Sequence, residues 1–180
     1  RHAARFLTER GAVLVCAADS SGAVHNPSGL AVQALVELKD SGHSVADYGY
    51  GARLDRDEVV GLPCDIWIPA ARPDVVHGDN VDRLQARLVV QGANIPFTED
   101  AERALHERGV LVVPDFIANA GGVICAAMEY QGATESAALQ AIQEKVRRNT
   151  RLVLEDAAKR GILPRQAAVE MAEARVRRAM

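Results

Sequence analysis

The sequence predicts an α/β fold, a doubly wound parallel sheet followed by a helical tail, and three observations carry that prediction. Four short apolar runs of strand length recur, at residues 12–18, 64–68, 88–90 and 110–113, each ended by a Gly, Pro or Asp signal. Helical patterns lie between most of them, and a strand followed by a helix, repeated, builds parallel neighbours through right-handed crossovers. From residue 134 onward the apolar positions advance in helical steps only.

Taken in order, residues 1–10 resemble the middle of an amphipathic helix without a cap or turn before it, so the start is read as cut inside an element. Gly11 closes that helix. The run Ala12 to Ala18, with Val13 and Val15, reads as a strand buried on both faces. Residues 30–39 place Leu30, Ala34, Leu35 and Leu38 on one stripe, and residues 98–108 do the same with Ala101, Ala104 and Leu105. Thr98 suits the N-cap, Glu99 and Asp100 the positive end of the helix dipole, and Gly109 the position just past its end. In the tail, Ala138, Ile142, Val146, Thr150, Val153 and Ala157 share one stripe. Gly161 ends it, and Pro164 opens a last helix. Residues 1–133 are therefore expected to form the sheet domain, and residues 134–180 helices packed on it or on a partner.

Composition bounds the function. At 180 residues, rich in aliphatics and only 4% aromatic, the chain fits one domain with a sizeable core. The net charge of -3 is spread without a long basic or acidic block, which argues against nucleic acid and anionic lipid as partners. Arg147, Arg148, Arg175, Arg177 and Arg178 read as solvated helix faces. Cys16, Cys64 and Cys125 are far apart, odd in number and without a C-x-x-C pair, which fits a reducing cytoplasm; Cys125 follows an aliphatic run and reads as small core packing. No apolar run approaches the roughly 20 residues that span a bilayer, and no signal-peptide pattern opens the chain, so it reads as soluble and cytoplasmic. His2, His25, His43, His77 and His106 are scattered as surface or turn residues, with no metal-site spacing and no nucleophilic triad around them.

In open α/β sheets ligands bind beyond the carboxyl ends of the strands, which singles out four segments. Asp19, followed by Ser20, ends the first run where a dinucleotide-binding fold places a carboxylate against the adenosine ribose. Such a carboxylate repels a 2′-phosphate and favours NAD over NADP, although neighbouring residues can offset this. A plain Asp-Ser-Ser-Gly turn accounts for the same residues equally well. Pro69-Ala70-Ala71 and Gly92-Ala93-Asn94 put small residues at strand ends, where a flat ligand could approach the backbone or the chain could simply turn. Asn119-Ala120-Gly121-Gly122-Val123 places two glycines at an apparent helix start, and Asn119 could cap that helix, donate to a nicotinamide carboxamide, or both. The G-x-G-x-x-G loop that should accompany such a site is absent; it is expected directly upstream of Arg1.

Read together, Cys64-Asp65-Ile66-Trp67-Ile68-Pro69-Ala70-Ala71, Val89-Val90-Gln91-Gly92-Ala93-Asn94 with Pro96 and Thr98, and Val113-Pro114-Asp115 with Ala118-Asn119-Ala120-Gly121-Gly122-Val123 closely resemble the C-terminal, Rossmann-like NAD(P)-binding domain of the glutamate/leucine/phenylalanine/valine dehydrogenases, glutamate dehydrogenases most of all. Asp19-Ser20-Ser21-Gly22, Asn26-Pro27 and Gly29-Leu30 resemble that family's second strand and turn. The resemblance implies reversible oxidative deamination of an L-amino acid, glutamate first, to a 2-oxo acid and ammonia, with hydride passing to NAD or NADP. It implies that Asp19 and Ser20 meet the adenosine ribose, that Ala70, Ala71 and Asn94 line the cofactor, and that Asn119 lies at the nicotinamide end. Val123 and Ala126 would face substrate. The family's catalytic lysine and aspartate belong to a separate N-terminal domain, so the resemblance implies no catalytic residue here and no turnover by this chain alone. It also implies an oligomer, a homo-hexamer by family habit.

One position departs from the pattern. Glutamate-specific members carry a serine three residues after the valine of the Asn-Ala-Gly-Gly-Val segment, and this chain has Ala126. Loss of a hydroxyl partner for a buried carboxylate costs on the order of 1–3 kcal/mol. Leucine- or valine-type specificity and a non-catalytic regulatory paralogue are therefore the competing readings within the family. An unrelated Rossmann domain such as a methyltransferase is permitted by Asp19 but leaves the Gly-Ala-Asn and Asn-Ala-Gly-Gly segments unexplained.

Overall fold

The computed structural model describes residues 1–180, and its internal contacts divide them into two units, Arg1–Cys64 with Arg83–Gln85, and Asp65–Asp82 with Ala86–Met180. The fold is mixed α/β, with a parallel sheet and a helical C-terminal part. No helix is long and apolar enough to cross a membrane.

In the first unit the helix α1 (His2–Thr8) precedes the strands β1 (Cys16–Asp19) and β2 (Gly22–His25), then α2 (Val32–Asp40) and the strand β3 (Ala52–Leu54). The three strands form an antiparallel sheet in chain order, with Cys16 opposite His25 and Asp19 opposite Gly22. This corrects the reading of residues 12–18 as a strand buried on both faces: the strand begins only at Cys16, and Ala18 is exposed. The physical reason is the two-residue loop Ser20-Ser21, which reverses the chain into a hairpin, and hairpin strands keep one solvated face. The core of this unit gathers Val24, Leu30, Leu35 and Val45. Leu30 is buried there although the helix begins two residues later, at Val32. Burial, and then the neighbouring Cys64, push the Cys16 thiol up to about 11, which leaves no thiolate at neutral pH.

Gly51 is held by this packing. A Cβ there would lie 2.7 Å from Val24 Cγ2 and 2.8 Å from the His25 carbonyl oxygen, whereas at Gly49 it would meet nothing within 4 Å. Because Val24 is fully buried, it has no room to retreat. Gly51→Ala should lower stability by about 1–3 kcal/mol in a denaturant melt, with Gly49→Ala close to neutral. Equal midpoints for the two variants would contradict this account.

The second unit holds the strands β4 (Ile66–Trp67), β5 (Leu88–Val90) and β6 (Leu111–Val113), parallel and adjacent in that order, with Trp67 beside Val89 and Val89 beside Val112. Between β5 and β6 runs α3 (Glu99–Glu107), whose Thr98 hydroxyl accepts from the Ala101 N–H and whose end is followed by Gly109 at φ +75°. The link from β4 to β5 contains only a short turn of helix, Val81–Arg83. After β6 come α4 (Asp115–Ala118), α5 (Gly121–Tyr130), α6 (Glu135–Arg160) and α7 (Pro164–Ala179). Val113, Ile117, Val153, Ala157, Ala167 and Ala168 share one core cluster, so α6 and α7 pack on the strand and helix that carry the second half of the candidate site. Gly161 at φ +65° ends α6 and Pro164 opens α7, while Arg147, Arg148, Arg175, Arg177 and Arg178 are exposed. Cys125 is not core: it is half-buried on α5, where its thiol faces Glu129.

Candidate functional site

In the second unit the ends of the three parallel strands bring the predicted segments together. The N–H groups of Gly92 and Ala93 both donate to the Pro69 carbonyl, at 2.9 and 2.8 Å, which ties the turn after β5 to the turn after β4 where Ala70 and Ala71 lie exposed. A Cβ on Gly92 would sit 3.3 Å from that carbonyl oxygen, so the two turns approach too closely for an easy side chain. From the third strand end, Asn119 Nδ2 donates to Asn94 Oδ1 at 2.7 Å and lies 3.5 Å from the Gly92 carbonyl. Ala70, Ala71, Asn94 and Asn119 thus line one cluster of small residues and amides.

Asn119 does not cap α5. That position belongs to Ala120, without a side-chain cap, and Asn119 instead ends α4 with its amide turned to Asn94. Only Asn119 and Ala120 separate α4 from α5, which puts Ala120 at the cap and Asn119 one position too early to reach the first N–H groups of α5. Its second amide hydrogen is held at longer range by the Gly92 carbonyl, and the remaining lone pairs of both amides stay available to a ligand. A Cβ on Gly122 would meet nothing within 4 Å, so the protein's own packing does not require that glycine. Along α5 no residue is buried; Val123 is 78% exposed, and Ala126, one turn on, is exposed as well.

Beneath these turns lies a buried polar cluster that sequence reasoning missed. Asp115, at the start of α4, accepts at Oδ2 from the Ile95 N–H at 2.8 Å. Its Oδ1 faces Arg165 Nη2 of α7 at 3.0 Å, close enough for an ion pair but not aligned as a hydrogen bond. Arg165 also forks onto Glu102, with Nε to Oε2 at 2.6 Å and Nη2 to Oε1 at 2.8 Å, and donates to Gln91 Oε1 at 2.9 Å. Gln91 passes the connection on by accepting from the Asp115 N–H and donating to Glu102. Burial raises the Asp115 carboxyl, but the Ile95 N–H and the Arg165 charge more than offset it and hold it below its ordinary value. Ile95 itself has φ +47°, a left-handed conformation that costs a β-branched residue about 1–3 kcal/mol. No local signal marks Gln91, Glu102 or Arg165, because the pairing spans 63 to 74 positions of sequence.

In the first unit Asp19 closes β1 as expected, with Ser20 exposed beside it. The carboxylate is heavily engaged. Its Oδ1 accepts from the Ser21 N–H at 2.9 Å and the Ser44 hydroxyl at 2.8 Å, and its Oδ2 from Lys39 Nζ at 2.8 Å and the Val45 N–H at 3.0 Å. Burial works against the charge, but these donors, Lys39 foremost, hold the carboxyl well below the usual carboxylate range. The turn reading and the binding reading of Asp19 are therefore not exclusive, and Lys39 stands ready beside it with its side chain 46% exposed.

The family model described as Glutamate/Leucine/Phenylalanine/Valine dehydrogenase matches residues 1–180, the whole chain. The chain belongs to the glutamate/leucine/phenylalanine/valine dehydrogenase family. Among relatives in that dehydrogenase family, the glutamate dehydrogenase of Aeropyrum pernix is 38% identical over 159 residues, covering 85% of this chain and 38% of that protein. The NADP-specific glutamate dehydrogenase of Saccharolobus shibatae is 39% identical over 127 residues, 71% of this chain and 30% of that protein. In structure the chain is similar to the hetero-hexameric glutamate dehydrogenase of Thermus thermophilus in its Leu-bound form, with a TM-score of 0.84 and 26% identity, over 98% of this chain and 43% of that one. The chain therefore spans less than half the length of these dehydrogenase relatives.

Proposed function

We propose that the chain is the nicotinamide-dinucleotide-binding part of an amino-acid dehydrogenase, which oxidatively deaminates an L-amino acid, glutamate first, to a 2-oxo acid and ammonia. The observation that carries this reading is the junction of Pro69-Ala70-Ala71, Gly92-Ala93-Asn94 and Asn119 at the carboxyl ends of three parallel strands. Asn94 and Asn119 hold the nicotinamide carboxamide, and Ala70 and Ala71 give the ring clearance. Asp19 and Ser20 hold the adenosine ribose, and Val123 and Ala126 face the substrate. NAD is the proposed cofactor, although Lys39 offsets part of the repulsion that Asp19 would exert on a 2′-phosphate. The protein works as an oligomer, and the catalytic lysine and aspartate come from outside this chain. Ala126, exposed on α5 without a hydroxyl, favours a second reading: a leucine- or valine-type substrate, or a regulatory subunit.

Titration of the chain with NADH and NADPH, read by nucleotide fluorescence, tests the reading. NADH should bind more tightly than NADPH, and Asn119→Ala should weaken NADH about tenfold, the worth of one lost hydrogen bond to a ligand. The chain alone should reduce no NAD with any amino acid. Failure to bind either nucleotide would overturn the assignment.

A further inference from the structure

We infer that Arg165 is a positioning residue for the Asn94–Asn119 amide pair, so that the last helix of the chain sets the geometry of the proposed nicotinamide contact. The inference rests on the cofactor reading above and goes beyond it. Asp115 bonds to both sides of the pair: its carboxylate grips the N–H of Ile95, directly after Asn94, and its carbonyl accepts from the Asn119 N–H at 2.7 Å. Whatever fixes Asp115 therefore bears on the separation of the two amides. The side chain that fixes it is Arg165, which meets Asp115, Gln91 and Glu102 at once and lies over the Phe116 ring at 5.6 Å. Gln91 adds a second route, since one oxygen takes both the Arg165 donor and the Asp115 N–H, and Gln91 directly precedes the Gly92-Ala93-Asn94 turn. The Nε–Nη2 edge of the guanidinium takes both Glu102 oxygens while Nη2 also meets Gln91 and Asp115, and the single nitrogen of a lysine ammonium cannot reproduce that two-nitrogen edge. Asn94 and Ile95 are exposed and Ile95 is strained; the other ties of this turn are backbone bonds, from the Asp74 N–H to the Ile95 carbonyl at 3.0 Å and from Gly92 and Ala93 to the Pro69 carbonyl, so Asp115 is the side chain that holds it from beneath.

Arg165→Lys keeps the charge and loses the fork. Its partner in the test is Val153→Ala, which empties part of the same unit's core without touching the network. Affinities for NADH and for ADP-ribose are measured on the full chain well below both melting temperatures. The Asn94 and Asn119 side-chain amide resonances are followed by NMR. The expected result is an approximately tenfold loss for NADH with ADP-ribose unchanged in Arg165→Lys, and no change of either in Val153→Ala. Asp115→Asn, which keeps shape and an acceptor for the Ile95 N–H, should show the same split if Arg165→Lys folds poorly. Unchanged NADH affinity, or parallel losses for both ligands in the lysine and alanine variants, overturns the positioning role and leaves the cofactor reading standing. If the parent chain binds no NADH the cofactor reading falls, and the amide resonances decide the rest: a shift in Arg165→Lys alone supports positioning, and no shift overturns it.

Discussion

Replacing Arg165 with methionine should lower the stability of the chain by about 3–5 kcal/mol, the range for breaking a buried ion pair by removing one partner. The side chains of Glu102 and Asp115 are only 7% and 8% exposed, and Arg165 is the cation that both share. Methionine matches the length of the arginine stem but strands two carboxylates in a low-dielectric pocket. The penalty belongs to the stranded charges, not to lost attraction, so adding Glu102→Gln to Arg165→Met should recover part of it. The pH dependence follows. Without the arginine, burial raises the Asp115 carboxyl, so the deficit from that group is small below the unfolded value of about 4 and grows as pH rises through the raised folded value. Thermal melts of parent and variant at pH 5 and pH 8 read this directly; a gap that is equal at both would show that the network is held by packing instead of charge. Arg160 gives the contrast: its partners Asp156 and Glu170 are all solvent-exposed, and Arg160→Ala should change the melt little.

That difference between Arg160 and Arg165 is invisible in sequence. Both arginines lie where α6 gives way to α7, and each has acidic residues within reach in space, but only the fold decides which acids are buried. Elements with a local cause were legible: Thr98 and Gly109 bracket α3, Gly161 and Pro164 mark the break between the last two helices, and the apolar runs 64–68, 88–90 and 110–113 contain the three parallel strands. The turns at those strand ends were also legible, since Gly, Pro and Asn just past an apolar run end a strand by local chemistry. The hairpin was not. Gly22–His25 is a strand too short and too poor in β-branched residues to announce itself beside Cys16–Asp19, and its other neighbour Ala52–Leu54 lies 27 or more positions further on. Asn119 was legible as a polar residue at a helix boundary, but the choice between capping α5 and meeting Asn94 depended on how sharply α4 turns into α5.

Asp19 offers the second large effect, and it separates folding from binding at one residue. Asp19→Ala should cost about 2–3 kcal/mol, because four donors converge on a side chain only 17% exposed and the Val45 N–H and Ser44 hydroxyl would lose their acceptor. The folded carboxyl value is depressed, so the stability it contributes is fully present above the unfolded value of about 3.9 and is lost as pH falls through the folded value. Asp19→Asn retains one acceptor oxygen and the shape but gives up the charge that pairs with Lys39. Its melting temperature should therefore fall below the parent's at neutral pH, and the two should converge as acid protonates the parent below about pH 4. A constant gap across that range would mean that the side chain stabilises through shape alone. Binding answers a different question. If Asp19 also meets the adenosine ribose, a nucleotide must share or displace one of its present donors, and Lys39 is the most mobile of them because its side chain is the most exposed. Asp19→Asn should then weaken NADH more than NADPH, since the ribose loses its charged acceptor while Lys39, released from the carboxylate, becomes free to meet a 2′-phosphate.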